Sequence, residues 1–228
     1  MTKFRRYGLY MVPQGGLYAT GASWLGWDAA AGQVAPQPDV TGLPKPAEVL
    51  TATPRKYGLH GTIKPPFRLA EGKTAEELHK AVSAFCGTQA PVTIPEMVLR
   101  KLGRFIALVP AQPNHALSEL AAAVVAAFDP FRAPLNEAEL AKRRKSKLSE
   151  RQEALLQRWG YPYVMDEFRF HITLSGALEP DILDAAHESL ADLFAPHIGQ
   201  PLPVPDLALM GEDEAGFFHL VHRYTLAG

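Results

Sequence analysis

YGLHGTIK at residues 57–64 and FRFHITLS at residues 168–175 are the two stretches that decide the fold. Each holds a histidine, one intervening residue and a threonine within an alternation of apolar and polar residues that is typical of a strand. Side chains two positions apart on a strand point to the same face, while their neighbours point to the other face. Each stretch is therefore predicted to present a histidine and a threonine together, with apolar side chains packed behind them. The residues concerned are His60, Thr62, His171 and Thr173.

The same predicted faces carry further polar side chains at Lys64, Arg169 and Ser175. A single His-x-Thr motif has little specificity, because eight histidines and eleven threonines in 228 residues give somewhat under one such motif by chance. For either motif alone, an ordinary half-buried strand histidine is the better interpretation. The predicted secondary structure around the two motifs also repeats, and this repeat favours a functional interpretation.

Both motifs are followed by the same series of predicted elements: a helix, a strand, a turn and a strand. This repeat indicates an internal duplication of about one strand-helix-strand-strand unit. We predict an α+β fold of two pseudo-symmetric β-α-β-β lobes, with antiparallel sheets around a central cleft that both motifs face. The expected boundaries are 57–130 for lobe 1, 165–228 together with the strand 5–12 for lobe 2, 13–56 for a loop-rich insertion and 136–160 for a helical linker.

Composition narrows the function classes. The formal net charge of −1 gives no overall electrostatic reason to expect a nucleic acid or a membrane as partner. The single cysteine, Cys86, excludes an internal disulfide framework and a multi-cysteine zinc site. The sequence has no apolar run of membrane-spanning length, and the first residues lead into no apolar leader segment. We therefore expect a cytoplasmic protein without a metal or another cofactor.

Two segments allow alternative interpretations. The basic run at residues 142–147, KRRKSK, is either a solvated helix face or a cationic patch that attracts an anionic substrate to the cleft mouth. The segment 13–56, rich in proline and glycine, is either a wall or lid over the site or an insertion without a role in it.

The sequence resembles the 2H (two-histidine) phosphoesterase superfamily, whose fold is that of the LigT-like cyclic phosphodiesterases. The resemblance rests on the two His-x-Thr motifs and covers nearly the whole chain. Longer strings resemble a branch associated with phosphonate metabolism. These strings are RYGLY at 6–10, ASWLG at 22–26, YGLHGTIKPPF at 57–67, RWGYPYV at 158–164 and FRFHITL at 168–174. The resemblance implies a small cyclic phosphate ester as substrate, including a ribosyl cyclic phosphate.

The chemistry of the motif residues agrees with that implication. Opening a cyclic phosphodiester requires a base for the attacking water and an acid for the departing alkoxide, and two imidazoles can supply both near neutral pH. Threonine hydroxyls can donate to the non-bridging oxygens, and Lys64 and Arg169 could add charge-assisted bonds. The resemblance implies that His171 activates water and His60 acts as the acid. The residues themselves leave the two roles open.

Tyrosines near the motifs are further candidates for substrate binding. Tyr7 and Tyr10 point to opposite faces of the first strand, and the family string favours Tyr7 for the cleft. Tyr57 and Tyr163 flank the motif strands, and Ser175 shares the face of His171. Each of these side chains has core packing or strand termination as its alternative role.

Three functions remain open at this point. The first is a metal-independent cyclic phosphodiesterase acting on a small phosphorylated substrate. The second is the same chemistry on RNA ends that carry a 2′,3′-cyclic phosphate, which the nearly neutral net charge disfavours. The third is a non-catalytic protein that senses a phosphate ligand, although binding alone does not require two titratable side chains. The oligomeric state is not indicated by the sequence.

Overall fold

The computed structural model describes residues 4–228. Residues 1–3, which belong to the N-terminal residues considered above for an apolar leader segment, lie outside the described range. The fold is α+β, as predicted, and its strands are antiparallel. The strands are β1 (Arg6–Met11), β2 (Trp27–Asp28), β3 (Gln33–Val34), β4 (Gly61–Phe67), β5 (Val92–Ile94), β6 (Met97–Leu102), β7 (Phe105–Pro110), β8 (Ile172–Thr173), β9 (Leu202–Val204), β10 (Asp206–Glu212) and β11 (Phe218–Thr225).

A seven-stranded sheet in the order β11-β10-β1-β4-β8-β7-β6 organises the chain. Its centre is narrow, because β4 and β8 are joined through the single pair Gly61–Ile172. The sheet therefore has two halves, β11-β10-β1-β4 and β8-β7-β6, and the two motif strands are adjacent where the halves meet.

The composition of these halves differs from the predicted lobes 57–130 and 165–228. The hairpin β6–β7, which follows the first motif in sequence, pairs with β8 of the second motif. The hairpin β10–β11, which follows the second motif, pairs instead with β1 beside β4. The two edges of β4 are occupied by β1 and β8, so β4 has no free edge for the hairpin of its own copy. Each half thus combines the motif strand of one copy with the hairpin of the other.

The helices are α1 (Gly15–Leu25), α2 (Ala47–Leu50), α3 (Ala75–Cys86), α4 (His115–Ala127), α5 (Glu137–Arg144), α6 (Glu150–Trp159) and α7 (Pro180–Phe194). Several begin at capping boxes, in which a side chain and a backbone amide three residues on satisfy each other. Thr74 and Glu77 form the capping box of α3. Ser149 and Gln152 form another that starts α6, so the predicted helical linker 136–160 is divided into α5 and α6. The helix α6 ends at Gly160, which adopts the left-handed conformation with φ 72°.

Apolar stripes of the helices pack against the sheet. Leu78, Val82 and Cys86 of α3 are buried, and α3 contacts β11. Leu183, Ala186 and Leu190 are on the buried side of α7, which contacts β6 and β7. The helices α3 and α7 therefore cover opposite halves of the sheet, and α4 packs against β4 between them.

The segment 13–56 contains more structure than its loop-rich composition predicts. It holds α1, the short hairpin β2–β3 and α2. Trp24 of α1 donates its indole N–H to the carbonyl of Leu174 at 2.7 Å. The amide of Gly176 donates to the carbonyl of Leu50 at 2.8 Å. The segment is thereby attached directly behind the second motif.

Across residues 4–228, none of the helices combines the length and the apolar character that crossing a membrane requires.

Candidate active site

The pair Gly61–Ile172 sets the orientation of both motifs. Paired residues of antiparallel strands point to the same face of the sheet. Ile172 is fully buried, and a Cβ atom placed on Gly61 would press into the ring of Phe170, so this pair faces the core. The residues one step away on each strand face the opposite side: His60, Thr62, His171 and Thr173.

The register brings the two motifs into a crossed arrangement. One residue to either side of the central pair, Thr62 lies opposite His171 and His60 lies opposite Thr173. The two histidines are then diagonal neighbours, a relation that typically places residues about 7–8 Å apart, with a somewhat shorter separation between Cβ atoms.

Both imidazoles are held in the same way. Nδ1 of His60 donates to the carbonyl of Gly58 at 3.0 Å, and Nδ1 of His171 donates to the carbonyl of Arg169 at 2.8 Å. A carbonyl oxygen can only accept, so in each neutral ring Nδ1 carries the hydrogen and Nε2 is unprotonated. In both motifs the carbonyl belongs to the residue two positions before the histidine. The repeat fixes the same tautomer twice and leaves each Nε2 without a hydrogen.

His60 is more enclosed than its partner histidine. Burial lowers the pKa of His60 to about 4, the hydrogen bond to the Gly58 carbonyl raises it, and the charge of His171 lowers it further. Some of the side chain remains accessible to solvent. Its Nε2 accepts from the Thr62 hydroxyl at 3.1 Å. Near neutral pH, His60 is therefore uncharged and can accept a proton.

A cavity of about 330 Å³ lies over the motif face. This volume is at the lower end of the range for small-molecule sites. His171 is not among the residues that line it; His171 is partly exposed beside the lining residue Phe105, with ring centres 5.8 Å apart. The lining residues are Arg6, Tyr10, Thr53, Pro54, Tyr57, Gly58, His60, Thr62, Pro65, Pro66, Phe105, Arg143, Tyr161, Thr173, Ser175, Gly176 and Ala177.

The structure reverses the choice between Tyr7 and Tyr10. Tyr10 pairs with Thr62 and therefore shares the motif face. Its ring stacks on the His60 imidazole, with 3.9 Å between ring centres and 19° between planes. Tyr7 points to the other face, where it belongs to the main hydrophobic core. The alternation along β1 was predicted, but the face that meets the cavity was not.

Lys64 does not reach the cavity. The pairing of β1 with β4 is irregular between the partners of Thr62 and Lys64, so the alternation that was expected to keep them on one face is interrupted. Lys64 is 2% exposed, and its ammonium group donates to the carbonyl of Val125 at 3.1 Å. Burial lowers the pKa of Lys64 to about 8. Its contacts are those of a structural residue between β4 and α4.

The other candidates divide between the cavity and the surface. Arg169 is exposed and donates to the carbonyls of Asp166 and Phe168 at 2.9 and 2.7 Å. It lies three residues before β8 begins, so the alternation that orients the residues next to the Gly61–Ile172 pair does not extend to it. Ser175 lines the cavity, but its hydroxyl accepts from Ile106 N at 2.9 Å and donates to Gly176 O at 3.0 Å.

Tyr57 lines the cavity, and the centre of its ring lies 6.0 Å from that of His60. Tyr163 is 40% exposed and does not line the cavity; its neighbour Tyr161 does. The two rings contact edge to face at 5.7 Å, so Tyr163 supports Tyr161 from outside.

Two arginines that were not among the candidate site residues also line the cavity. Arg143, from the basic run, lies over the ring of Tyr161 at 4.6 Å, so one residue of that run does reach the cavity. Arg6 lines the same cavity and makes an ion pair with Glu212, in which NH2 donates to Oε1 at 2.6 Å. The string RYGLY contains Arg6 but does not indicate which way it points.

Grouped His, Cys, Asp and Glu side chains that could hold a metal ion do not occur within the described range 4–228. The arrangement offers the His60 imidazole, two threonine hydroxyls and two guanidinium groups at one cavity, with the His171 imidazole beside the cavity residue Phe105. It can exchange protons on opposite sides of a bound group and can stabilise negative charge on that group.

The lowered pKa of His60 predicts a specific dependence of stability on pH. Below about pH 6.5 the unfolded chain takes up a proton at this position, whereas the folded chain excludes it until about pH 4. We expect the free energy of unfolding to fall as the pH drops through this window, and to fall less steeply in His60→Gln. Chemical denaturation between pH 7.5 and pH 4.5 measures both slopes. Parallel curves for the two proteins would contradict the prediction.

Two curated proteins are similar to nearly all of this chain. A "Ribose 1,5-bisphosphate phosphokinase PhnN" of Janthinobacterium sp. (strain Marseille) is 39% identical over 218 residues, which are 92% of this chain and 48% of that protein. A protein of the same name from Laribacter hongkongensis (strain HLHK9) is 33% identical over 220 residues, 92% of this chain and 49% of that protein. The chain thus spans about half the length of these relatives.

Solved structures with a similar fold include phosphoesterases. A structure described as "Crystal structure of phosphoesterase" has a TM-score of 0.48 and 14% identity, covering 99% of this chain and 100% of that one. E. coli LigT complexed with 3′-AMP has a TM-score of 0.45 and 16% identity, with coverage of 99% and 100%. Because both TM-scores lie below 0.5, we carry nothing from their sites to this chain.

A family model gives the membership directly. It is described as "Protein of unknown function (DUF1045)" and matches residues 62–219, well over half of the chain and both threonines of the motifs. This protein belongs to that family.

Proposed function

We propose that this protein hydrolyses a small cyclic phosphate ester, with His60 and His171 as the acid–base pair and without a metal ion. The observation that carries the proposal is the repeated bond from each Nδ1 to the carbonyl two residues earlier. It leaves two Nε2 atoms on one face of the sheet, on either side of the central pair. A protein that only bound phosphate would gain nothing from two titratable groups in fixed tautomers.

The reaction that suits this arrangement is an in-line displacement. One Nε2 takes a proton from water as the water oxygen forms a bond to phosphorus. The bond from phosphorus to the ring oxygen breaks on the opposite side, and the departing alkoxide receives a proton from the other Nε2. The product is a phosphate monoester. Thr62 and Thr173 donate to the non-bridging oxygens, and the Thr62 hydroxyl leaves His60 Nε2 to do so.

The protonation state that burial imposes favours His60 as the base. A neutral His60 can accept the proton of water at once, and burial keeps His60 neutral near pH 7. This is the opposite of the assignment that the resemblance implies. A bound phosphate carries negative charge, which favours a protonated imidazole beside it, and the second histidine is then the acid.

A small ester that includes a ribosyl cyclic phosphate fits the cavity volume and the guanidinium groups of Arg6 and Arg143. The phosphokinase named in the curated relatives is a different reaction. A phosphate-binding loop of the pattern GxxxxGK[ST] is not formed here, because Gly72-Lys73-Thr74 is preceded by Phe67 where the motif needs glycine. We therefore assign the phosphoesterase reaction, and not the kinase reaction, to this chain.

A substrate panel tests the proposal. We expect turnover of ribose 1,2-cyclic phosphate or nucleoside 2′,3′-cyclic phosphates that is unchanged by a chelator and bell-shaped with pH. Release of phosphate monoester, followed with and without EDTA, is the measurement. Preference for RNA with a cyclic end over every small ester would favour RNA-end processing. Binding of these esters without turnover would favour a sensing role, and a strict metal requirement would refute the mechanism.

A further inference from the structure

Tyr10 has a feature that the proposed acid–base pair does not explain. Its side chain is 0% exposed, and within residues 4–228 its buried hydroxyl has no hydrogen-bond partner. Burial raises its pKa well above 10, so the hydroxyl keeps its proton. A buried donor without an acceptor destabilises a folded protein, and such groups are rare in native structures.

The position of the ring explains where this donor lies. The ring stacks on His60 at one end and extends along β1 over Gly8. A Cβ atom on Gly8 would come within 2.8 Å of Tyr10 Cε1 and 3.3 Å of the hydroxyl oxygen. The absence of a side chain at Gly8 therefore makes room for the ring. The hydroxyl consequently lies farther along the cavity floor than His60, in the direction of Arg6.

The surroundings of the hydroxyl belong to the cavity. The groups whose charge affects the pKa of Tyr10 are Tyr57, Arg6, Glu212 and Tyr161, and all of them except Glu212 line the cavity together with Tyr10. The Tyr57 ring is partly exposed and stacks on Phe218 with 5.1 Å between ring centres. Because the hydroxyl is fully buried, a ligand in the cavity reaches it only when neighbouring side chains move.

We infer that the Tyr10 hydroxyl donates a hydrogen bond to an oxygen of the substrate that lies away from the reacting phosphorus. The inference rests on the proposed function and adds a distal contact to it. The acceptor is an ether, hydroxyl or phosphate oxygen, because a permanently protonated phenol at this position offers a donor. The ring of the same residue holds the His60 imidazole, so Tyr10 connects the distal contact with the reacting group.

The Tyr10→Phe variant separates a ligand contact from a structural role, since it keeps the ring and removes the hydroxyl. We expect its melting temperature to equal or exceed that of the wild type, because an unsatisfied donor is lost. At the same time we expect KM for ribose 1,2-cyclic phosphate or adenosine 2′,3′-cyclic phosphate to rise about fivefold or more, with kcat changed less than twofold. If the hydroxyl only stabilised the fold, its removal would instead lower the melting temperature and raise KM together.

Tyr224→Phe is the matched control. The Tyr224 hydroxyl is hydrogen-bonded to His79 and lies outside the cavity. Its loss should lower the melting temperature and leave KM unchanged. For Tyr10→Phe, an unchanged KM, or a lower melting temperature together with weaker binding, would overturn the inference.

Calorimetric titration with the same two esters keeps this test separate from that of the proposed function. If the wild type binds an ester without hydrolysing it, the proposed reaction is refuted, and the ratio of the two dissociation constants then decides the role of Tyr10. If the wild type binds neither ester, the inference is refuted as well.

Discussion

Replacing either motif histidine is expected to abolish most of the turnover while the fold persists. In His171→Gln and His60→Gln we expect kcat to fall about 10²- to 10⁴-fold, the range that positioned acid–base groups contribute. The reason is that each Nε2 handles a proton on one side of phosphorus, and glutamine cannot do so. Initial rates on the ester that the wild type hydrolyses best are the measurement.

The controls for this prediction separate chemistry from structure. His115 is exposed at the start of α4 and lies outside the cavity, so His115→Gln should keep kcat within twofold. Circular dichroism and melting temperature should match the wild type in His171→Gln, whose imidazole is partly exposed. If either motif variant retained full activity, the two-histidine mechanism would be wrong.

The motif face was predictable because it depends on one local rule. Alternation along a strand relates His60 to Thr62 and His171 to Thr173, whatever the rest of the chain does. The bonds from Nδ1 to the carbonyls of Gly58 and Arg169 also lie within each motif, but they require chain bends that the residue types do not indicate.

The features of the site and fold that the sequence did not predict depend on pairings between distant segments. The irregular pairing that buries Lys64 is a property of β1 and β4 together, so the sequence of β4 could not indicate it. The exchange of hairpins between the two copies likewise depends on which strand edges are free to pair. A repeat in the sequence does not indicate which edges these are. Arg143 of α5 reaches the cavity across the ring of Tyr161, which lies in the loop after α6. The hydrophobic periodicity of the sequence does not predict a contact between these two segments.

A methyl group at the centre of the sheet should damage both stability and activity. A Cβ atom on Gly61 would meet Cε2 and Cζ of Phe170 at 2.3 Å, so one of the two must move. Phe170 is buried, and its ring belongs to the main core. We expect Gly61→Ala to lower the free energy of unfolding by about 1–3 kcal/mol, the usual cost of overpacking a core. Chemical denaturation measures this change.

The same variant should also slow the reaction, because Gly61 lies between the two residues of the first motif and pairs with Ile172 of the second. Displacing a reacting group by about 1 Å can cost about 10²-fold in rate, and we expect a loss of that order in kcat. Gly87→Ala is the matched control. Gly87 has φ −62°, and a Cβ atom added there would come no closer than 3.6 Å to its neighbours, so stability and rate should be unchanged.

Shortening Phe170 tests whether its ring is the reason that residue 61 is a glycine. Phe170→Leu alone should destabilise the core, but combined with Gly61→Ala it removes the ring atoms that the new methyl group would meet. We therefore expect the double variant to be more stable than the sum of the two single effects predicts, with a coupling energy of about 0.5–3 kcal/mol. Strict additivity would show that Gly61 is not kept small by Phe170. In that case the close approach of the two motif strands would need another cause, since the Gly61–Ile172 pair is the bridge between β4 and β8.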